Sequence, residues 1–343
     1  MNPGLPPCED GTLTTELTAR KKTLTQIACD DKPHGKVFMN TGNDYELGRP
    51  GVMTLPERIL VIGQEQGIIG PALANWLQSC GCQIVSDHGL QAGRNADAWC
   101  RDLERLEPQL VVDTLCCFDM QQAELEPAKA MFWNKEMPCA LAQALQRFGV
   151  GLVFFSSDCV FDGKQQIPYT IADSPNPVST CGQSFLAGER ALEGCGLDNL
   201  LILRSSWQFG PFGPDFVDWV VHQGRQGKSL KIPHDQIGSP TYSLDLADLA
   251  MRLVANRVTG LHHVCNSGQA SWCELAAETL NTCGFHCNVQ AVTSEVHSRQ
   301  APRTAFSVLD SRQSLALART KARPWPYALR DYIYTYHSQH IVL

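Results

Sequence analysis

Residues 152–189 read LVFFSSDCVFDGKQQIPYTIADSPNPVSTCGQSFLAGE, and the order of textures in this stretch decides the fold. Leu152–Phe155 is an unbroken apolar run, as expected of a strand buried on both faces of a parallel sheet. Ser156-Ser157-Asp158 ends it with small polar groups. A loop rich in Pro and Gly follows, and then a segment that reads as helix over Ser184–Glu189. A buried strand that delivers hydroxyls at its carboxyl end, then a long loop and a helix, is an α/β arrangement with its polar chemistry at the strand ends.

The chain upstream has the same character. Arg58–Ile62 (RILVI) is a buried-strand run, followed by Gly63-Gln64-Glu65-Gln66-Gly67-Ile68-Ile69-Gly70 and a helix over Pro71–Ser79. Strand, glycine turn and helix is the dinucleotide-binding context, in which glycines let the backbone approach a pyrophosphate at a helix N-terminus. Gly63, Gly67 and Gly70 are therefore candidate cofactor contacts, for NAD or NADP. Glu65 works against them by placing a negative charge near the phosphates. A second strand over Cys82–Ser86 closes on Asp87, 24 residues beyond Gly63. An acid there either bonds the adenosine ribose, favouring NAD over NADP, or is a solvated loop residue. A helix over Asp97–Leu106 and strands over Gln109–Leu115 and Asn199–Trp207 complete a Rossmann-like, doubly wound parallel sheet.

The composition narrows the classes. The chain has 343 residues, 43% hydrophobic and 18% charged, as in a soluble globular protein. A net charge of −7 with no Lys/Arg block argues against a nucleic-acid partner. No apolar run is long enough to span a membrane, and the N-terminus lacks a basic segment followed by an apolar one. Fifteen scattered cysteines, an odd count, do not form a secreted disulfide framework. A cytoplasmic protein with small buried thiols is expected, and Cys80-Gly-Cys82 and Cys116-Cys117 lack metal-ligand spacing, so no metal is assigned.

The motifs resemble the dTDP-4-dehydrorhamnose reductase family of the extended short-chain dehydrogenase/reductase superfamily. That family reads STDYVFDG, PY and PNPxxxYGxSKLxGE where this chain has its central stretch. Further along, Ala123–Pro127 resembles AExEP, Trp133-Asn134 VN, Arg204–Trp207 RTSW, and Asp235–Thr241 DQxGxPT. Ala301-Pro302-Arg303 resembles ARRP, and Pro324-Trp325 begins the closing PWxxAL. The likeness runs in order over about 58–335. It implies a Rossmann-like domain with a smaller C-terminal substrate lobe, formed mainly by 211–243 and 265–310. Gly260–Val264 and Gln269–Ala276 are read as the strand and helix of that lobe. Residues 1–57 form an extension, either a surface lid or an arm that docks on a protein partner, and 336–343 a tail. A homo- or hetero-oligomer is expected.

Two letters break the pattern. Carbonyl reduction in the superfamily uses a Tyr as acid and a Lys one helical turn on, which lowers the Tyr pKa and holds the ribose. Here those positions are Cys181 and Phe185. Ser157 keeps the orienting hydroxyl, so Ser157 and Cys181 are the candidate catalytic residues. Losing a general acid costs a factor of roughly 10² to 10⁴. The resemblance assigns Asp158, Arg204, Trp207 and Arg303 to a sugar-nucleotide pocket, although Arg204 also reads as a structural ion pair. After the third strand the family has a small-residue turn resembling NAAA, where this chain has the bulkier Asp113-Thr114-Leu115-Cys116-Cys117. Cys116, Cys117, Cys159 and Cys181 belong to turns that should converge on one cleft, as space-filling thiols or as a nucleophile served by His222 or His234. The reading favoured by these substitutions is a nucleotide-binding, regulatory or accessory protein without ordinary reductase activity. The alternative is an NAD(P)-dependent sugar-nucleotide reductase with a rearranged site.

Overall fold

The computed structural model describes residues 54–85, 95–296 and 301–338. The N-terminal extension up to residue 53 and the acid at Asp87 lie outside the described residues. Twelve strands are described: β1 Arg58–Ile62, β2 Gln83–Val85, β3 Leu110–Asp113, β4 Gly151–Ser157, β5 Leu200–Ser205, β6 Gln208–Phe209, β7 Leu230–Pro233, β8 Ile237–Gly238, β9 Thr241–Tyr242, β10 Gly260–His263, β11 Ala270–Ser271 and β12 Val289–Val292.

Six of them form one parallel sheet in the order β10-β5-β4-β3-β1-β2. The chain leaves β1 towards β2 and returns to place β3 on the opposite side of β1. This reversal opens a crevice at the carboxyl ends of β1 and β3, where open α/β sheets bind ligands. The strands are apolar without alternation because both faces are covered. Leu60, Ile62, Val111, Leu152 and Phe154 face a cluster with Trp99, Leu103, Leu141, Leu145 and Phe185. Ile59, Val61, Val112, Val153 and Phe155 face the other side, with Leu73, Leu77, Leu246 and Ala250. The Ala96–Leu106, Met137–Phe148 and Thr180–Gly194 helices thus cover one face, and Ile69–Ser79 and Ser243–Ala255 the other.

A third apolar cluster is built around Trp207, Phe209, Val217, Trp272, Leu275, Leu329 and Tyr332. It joins the helices Phe216–Arg225, Trp272–Cys283 and Trp325–Tyr336. The strand Gly260–His263, read from sequence as part of the small lobe, belongs instead to the edge of the main sheet. It pairs with β5 from Gly260–Leu201 to His263–Arg204. Sequence order misleads here because the chain returns from the lobe to the sheet before entering the lobe again. Among the described residues no helix is long and apolar enough to cross a membrane.

Two boundaries shape the site. The strand read over Gln109–Leu115 stops at Asp113, whose carboxyl accepts the Leu115 N–H at 3.0 Å and turns the chain out of the sheet. The helix read over Ser184–Glu189 starts at Thr180, capped by Ser179, which accepts the Gly182 N–H at 3.1 Å. Cys181 and Phe185 therefore occupy its first two turns.

Candidate active site

The glycine turn lies on one side of the crevice. Gly63 has φ +83°, and a side chain there would meet Leu115 and Thr114 at 2.9 Å. Gly70 admits no side chain, since a Cβ would stand 2.0 Å from the Gly63 carbonyl oxygen. The helix Ile69–Ser79 thus packs directly on the end of β1. Gly67, at φ +64°, is exposed and its outer face is open among the described residues. No side chain caps this helix and its first turn holds no acid. Its first N–H groups have no partners within the helix, and such groups suit a phosphate. The turn therefore fits the pyrophosphate half of a dinucleotide, although Leu115 crowds it.

Thr114–Phe118 forms the wall between the glycine turn and the Thr180–Gly194 helix. Thr114 is tied to β1 through its hydroxyl, which donates to the Ile62 carbonyl at 2.8 Å. Further on, Asn134 in the π-helical turn Phe132–Glu136 binds wall and helix together. Its Oδ1 accepts the Cys117 N–H at 2.7 Å, and its Nδ2 donates to the Ser184 hydroxyl at 2.8 Å. The backbone approach is close: a Cβ on Gly188 would overlap the Asn134 carbonyl oxygen. Asp113, at the foot of the wall, is buried, and one carboxyl oxygen has no hydrogen-bond partner among the described residues. Burial pushes its pKa up to about 7, against a single lowering hydrogen bond from Leu115.

Cys181 and Phe185 fill the side of the helix that faces this wall. The Cys181 thiol is fully buried and donates to the Cys117 carbonyl at 3.3 Å. Its contact with Cys159 and then burial hold its pKa well above the ordinary thiol value. Phe185 is also fully buried, with its ring 5.1 Å from that of Phe118. Cys116 is raised by burial and then by Asp113, Cys117 and Cys159. Burial raises Cys117 as well, so Cys116, Cys117 and Cys181 are held as thiols. His222 is engaged with Gln226 at 2.7 Å and His234 is exposed. Tyr169, stacked on Phe161, donates its hydroxyl to Asp162 at 3.0 Å. The nicotinamide half of a dinucleotide would therefore meet apolar carbon and protonated sulfur where a phenol and an ammonium would be needed.

Ser157 and Asp158 stand at the end of β4. The Ser157 hydroxyl donates to Asp158 at 3.1 Å and accepts the Cys159 N–H at 3.3 Å. Asp158 is wholly buried and also accepts from Ser206 at 2.8 Å and Ser307 at 2.5 Å. Burial raises its pKa, and the hydroxyls of Ser307, Ser206 and Ser157 draw it back. Asp158, expected at a sugar pocket, is thus a buried tie between the sheet and the Ser307 segment.

Arg204 takes the ion-pair reading, and Trp207 is likewise engaged inside the protein. Arg204 is 2% exposed and forms a two-pronged pair with Glu189, at 2.8 and 2.6 Å. Glu189 also accepts from the Ser156 hydroxyl at 2.5 Å. The guanidinium is consumed inside the protein because it lies on β5 directly beneath the helix. Trp207, at φ +40°, stacks on Trp272 with ring centres 3.6 Å apart, in the core of the third cluster. Arg303 is half-buried, and its segment is anchored where the Ala301 N–H donates to Gln121 at 2.7 Å. Sequence reasoning missed Asp113, Ser206 and Ser307 as site residues. Only the family's Asn at the position of Asp113 signals that a titratable group is unusual there.

A parallel sheet with a glycine turn at its point of reversal, and serines at the end of β4, defines a Rossmann-fold protein of the extended dehydrogenase/reductase class. The chain belongs to the family described as the RmlD substrate binding domain, whose model matches residues 57–338. It is 31% identical over 295 residues to a dTDP-4-dehydrorhamnose reductase of Mycolicibacterium smegmatis, covering 84% of this chain and 88% of the relative. It is 34% identical over 227 residues to the spore coat polysaccharide biosynthesis protein SpsK of Bacillus subtilis, covering 66% and 79%. Among solved structures, a dTDP-4-dehydrorhamnose reductase of Bacillus anthracis in complex with NADP superposes with a TM-score of 0.77 at 27% identity. That match covers 82% of this chain and all of the other.

Proposed function

We propose that this chain is a binding member of its reductase family, one that takes up a dinucleotide or sugar nucleotide without reducing it and serves a regulatory or accessory role. The observation that carries this reading is the packing of Phe185 on Phe118 beside the buried thiol of Cys181. A carbonyl oxygen that gains negative charge needs a proton donor within hydrogen-bond reach. Neither residue supplies one, and both are closed in by the Asn134-bound wall. The glycine turn supports retention of the phosphate-binding half. In a binding role the 1–57 extension is the natural arm for a protein partner.

The relatives favour a second reading, since several are dTDP-4-dehydrorhamnose reductases and one is solved with NADP. Under it a bound NAD(P)H supplies the hydride, Ser157 orients the carbonyl and Cys181 gives the proton. Incubation with NADH or NADPH and a dTDP-4-keto-6-deoxy sugar separates the two. The binding reading expects dinucleotide binding in a fluorescence titration with no oxidation of the nicotinamide. Turnover that disappears in Ser157→Ala would overturn it. If neither nucleotide binds, partner capture through the extension remains, read by co-purification with and without residues 1–57.

A further inference from the structure

Away from the site, Cys139 and Cys195 place their sulfur atoms 3.6 Å apart, although they are 56 positions apart in sequence. We propose that this pair is an oxidative modification site, at which a peroxide joins the two thiols in a disulfide. The link would staple the Met137–Phe148 helix to the far end of the Thr180–Gly194 helix.

The local structure permits closure. A disulfide bond is about 2.05 Å long, so the sulfurs must approach by roughly 1.6 Å. Cys195 is the C-cap of its helix, and Gly196 follows it at φ +65°. The chain can yield there without breaking a helix interior. Cys139 lies in the first turn of its own helix, just after the π-helical turn Phe132–Glu136. Both residues are half-buried, which leaves an approach for a small oxidant, whereas Cys159, Cys181, Cys265 and Cys283 are buried.

The two thiols are not equivalent. The Gln143 amide donates to the Cys139 sulfur at 3.8 Å. Burial and the contact with Cys139 push the Cys195 thiol up to about 11. Cys195, the raised thiol at the yielding end of its helix, is therefore the resolving sulfur and Cys139 the attacking one. The Cys139 sulfur bonds to one peroxide oxygen, the O–O bond breaks, and the other oxygen leaves as water with the thiol proton. The Cys195 sulfur then displaces the sulfenic oxygen, which leaves as a second water. The sulfurs give up two electrons and the peroxide accepts them.

The consequence reaches the site. The stapled helix carries Cys181, Ser184 and Phe185 at its other end, and Asn134 already bonds Ser184 just before the partner helix. Oxidation would fix these two elements as one body.

The test uses the full chain treated with hydrogen peroxide, digested without reduction and mapped by mass spectrometry. A linked Cys139–Cys195 peptide is expected, recovered as two peptides after dithiothreitol. The oxidised protein should melt several degrees higher, as expected for a crosslink closing a long loop. That rise should survive Cys80→Ser and vanish in Cys139→Ser and in Cys195→Ser. Recovery of Cys139 and Cys195 unlinked, while other cysteines oxidise, would overturn the proposal. So would a wild-type pairing of either with a different cysteine.

Discussion

Phe185 and Asp113 each show a single side chain setting what its surroundings can do. Phe185 sits in a dry pocket against Phe118, so the family's lysine cannot simply be put back. Phe185→Lys forfeits about 1.5–3 kcal/mol of burial and adds the cost of a desolvated amine. It should lower stability by at least 2 kcal/mol in urea without creating reductase activity; an unchanged midpoint would refute the packing argument. Asp113 is the titrating counterpart. An unfolded aspartate loses its proton near pH 4, whereas here the carboxyl keeps it to about pH 7. Below pH 4 both states are protonated and the group has no effect on folding. As the pH rises towards 7 the unfolded state ionises and the folded state does not, so stability falls, by up to about 4 kcal/mol. Asp113→Asn keeps the acceptor for the Leu115 N–H and removes the charge. It should therefore raise the melting temperature strongly at pH 8 and little at pH 4, and an equal rise at both would count against the buried carboxyl.

Strand β5 and the Thr180–Gly194 helix are joined at the scale of elements by the Arg204–Glu189 pair, with Ser156 of β4 as a third member. Both charges are buried, so the desolvation penalty falls on whichever partner is left alone. Arg204→Met strands Glu189 and should cost about 3–5 kcal/mol, whereas Arg204→Met with Glu189→Leu should recover most of that loss. Denaturant melts of the single and double variants decide this, and a single variant losing under about 1 kcal/mol would contradict it. The neutral His263 belongs to the same region. Burial and then the Arg204 charge drive its pKa down to about 3, and its Nδ1 meets the Tyr169 carbonyl at 3.1 Å. His263 therefore adds no second buried cation beside the Arg204–Glu189 pair.

Asp158 is the connection that matters at the scale of the whole molecule. It ties β4 to Ser206 beyond β5 and to Ser307 in the C-terminal part of the chain. Ser307 in turn donates its N–H to Ile237 at 2.8 Å, and Leu309 donates its own to the Ser239 hydroxyl at 3.2 Å. Removing the carboxyl with Asp158→Ala leaves three buried hydroxyls short of an acceptor, at a cost of about 2–4 kcal/mol. Amide exchange should then speed up in 237–241 and 305–310 before it does in β1 and β3. Uniform acceleration throughout would mean that Asp158 supports the sheet alone.

Local composition alone marks most strands of the sheet, because apolar runs such as 59–62 and 152–155 are buried on both faces. The sequence by itself also determined the family, through motifs in unbroken order, and the loss of the Tyr and Lys, which is a matter of two letters. Roles that depend on a distant partner were decided only in three dimensions. Asp158 and Trp207 read as pocket residues because their letters fit a motif, and Arg204 read as either a pocket residue or an ion pair. Yet Ser307, Glu189 and Trp272, which occupy them, lie 149, 15 and 65 positions away. The same holds for Gly260–His263, which joined the sheet through its register with β5, and for Cys139 and Cys195. Burial of a polar group is a property of everything packed around it, and no local pattern encodes which hydroxyl, carboxyl or sulfur will arrive from elsewhere in the chain.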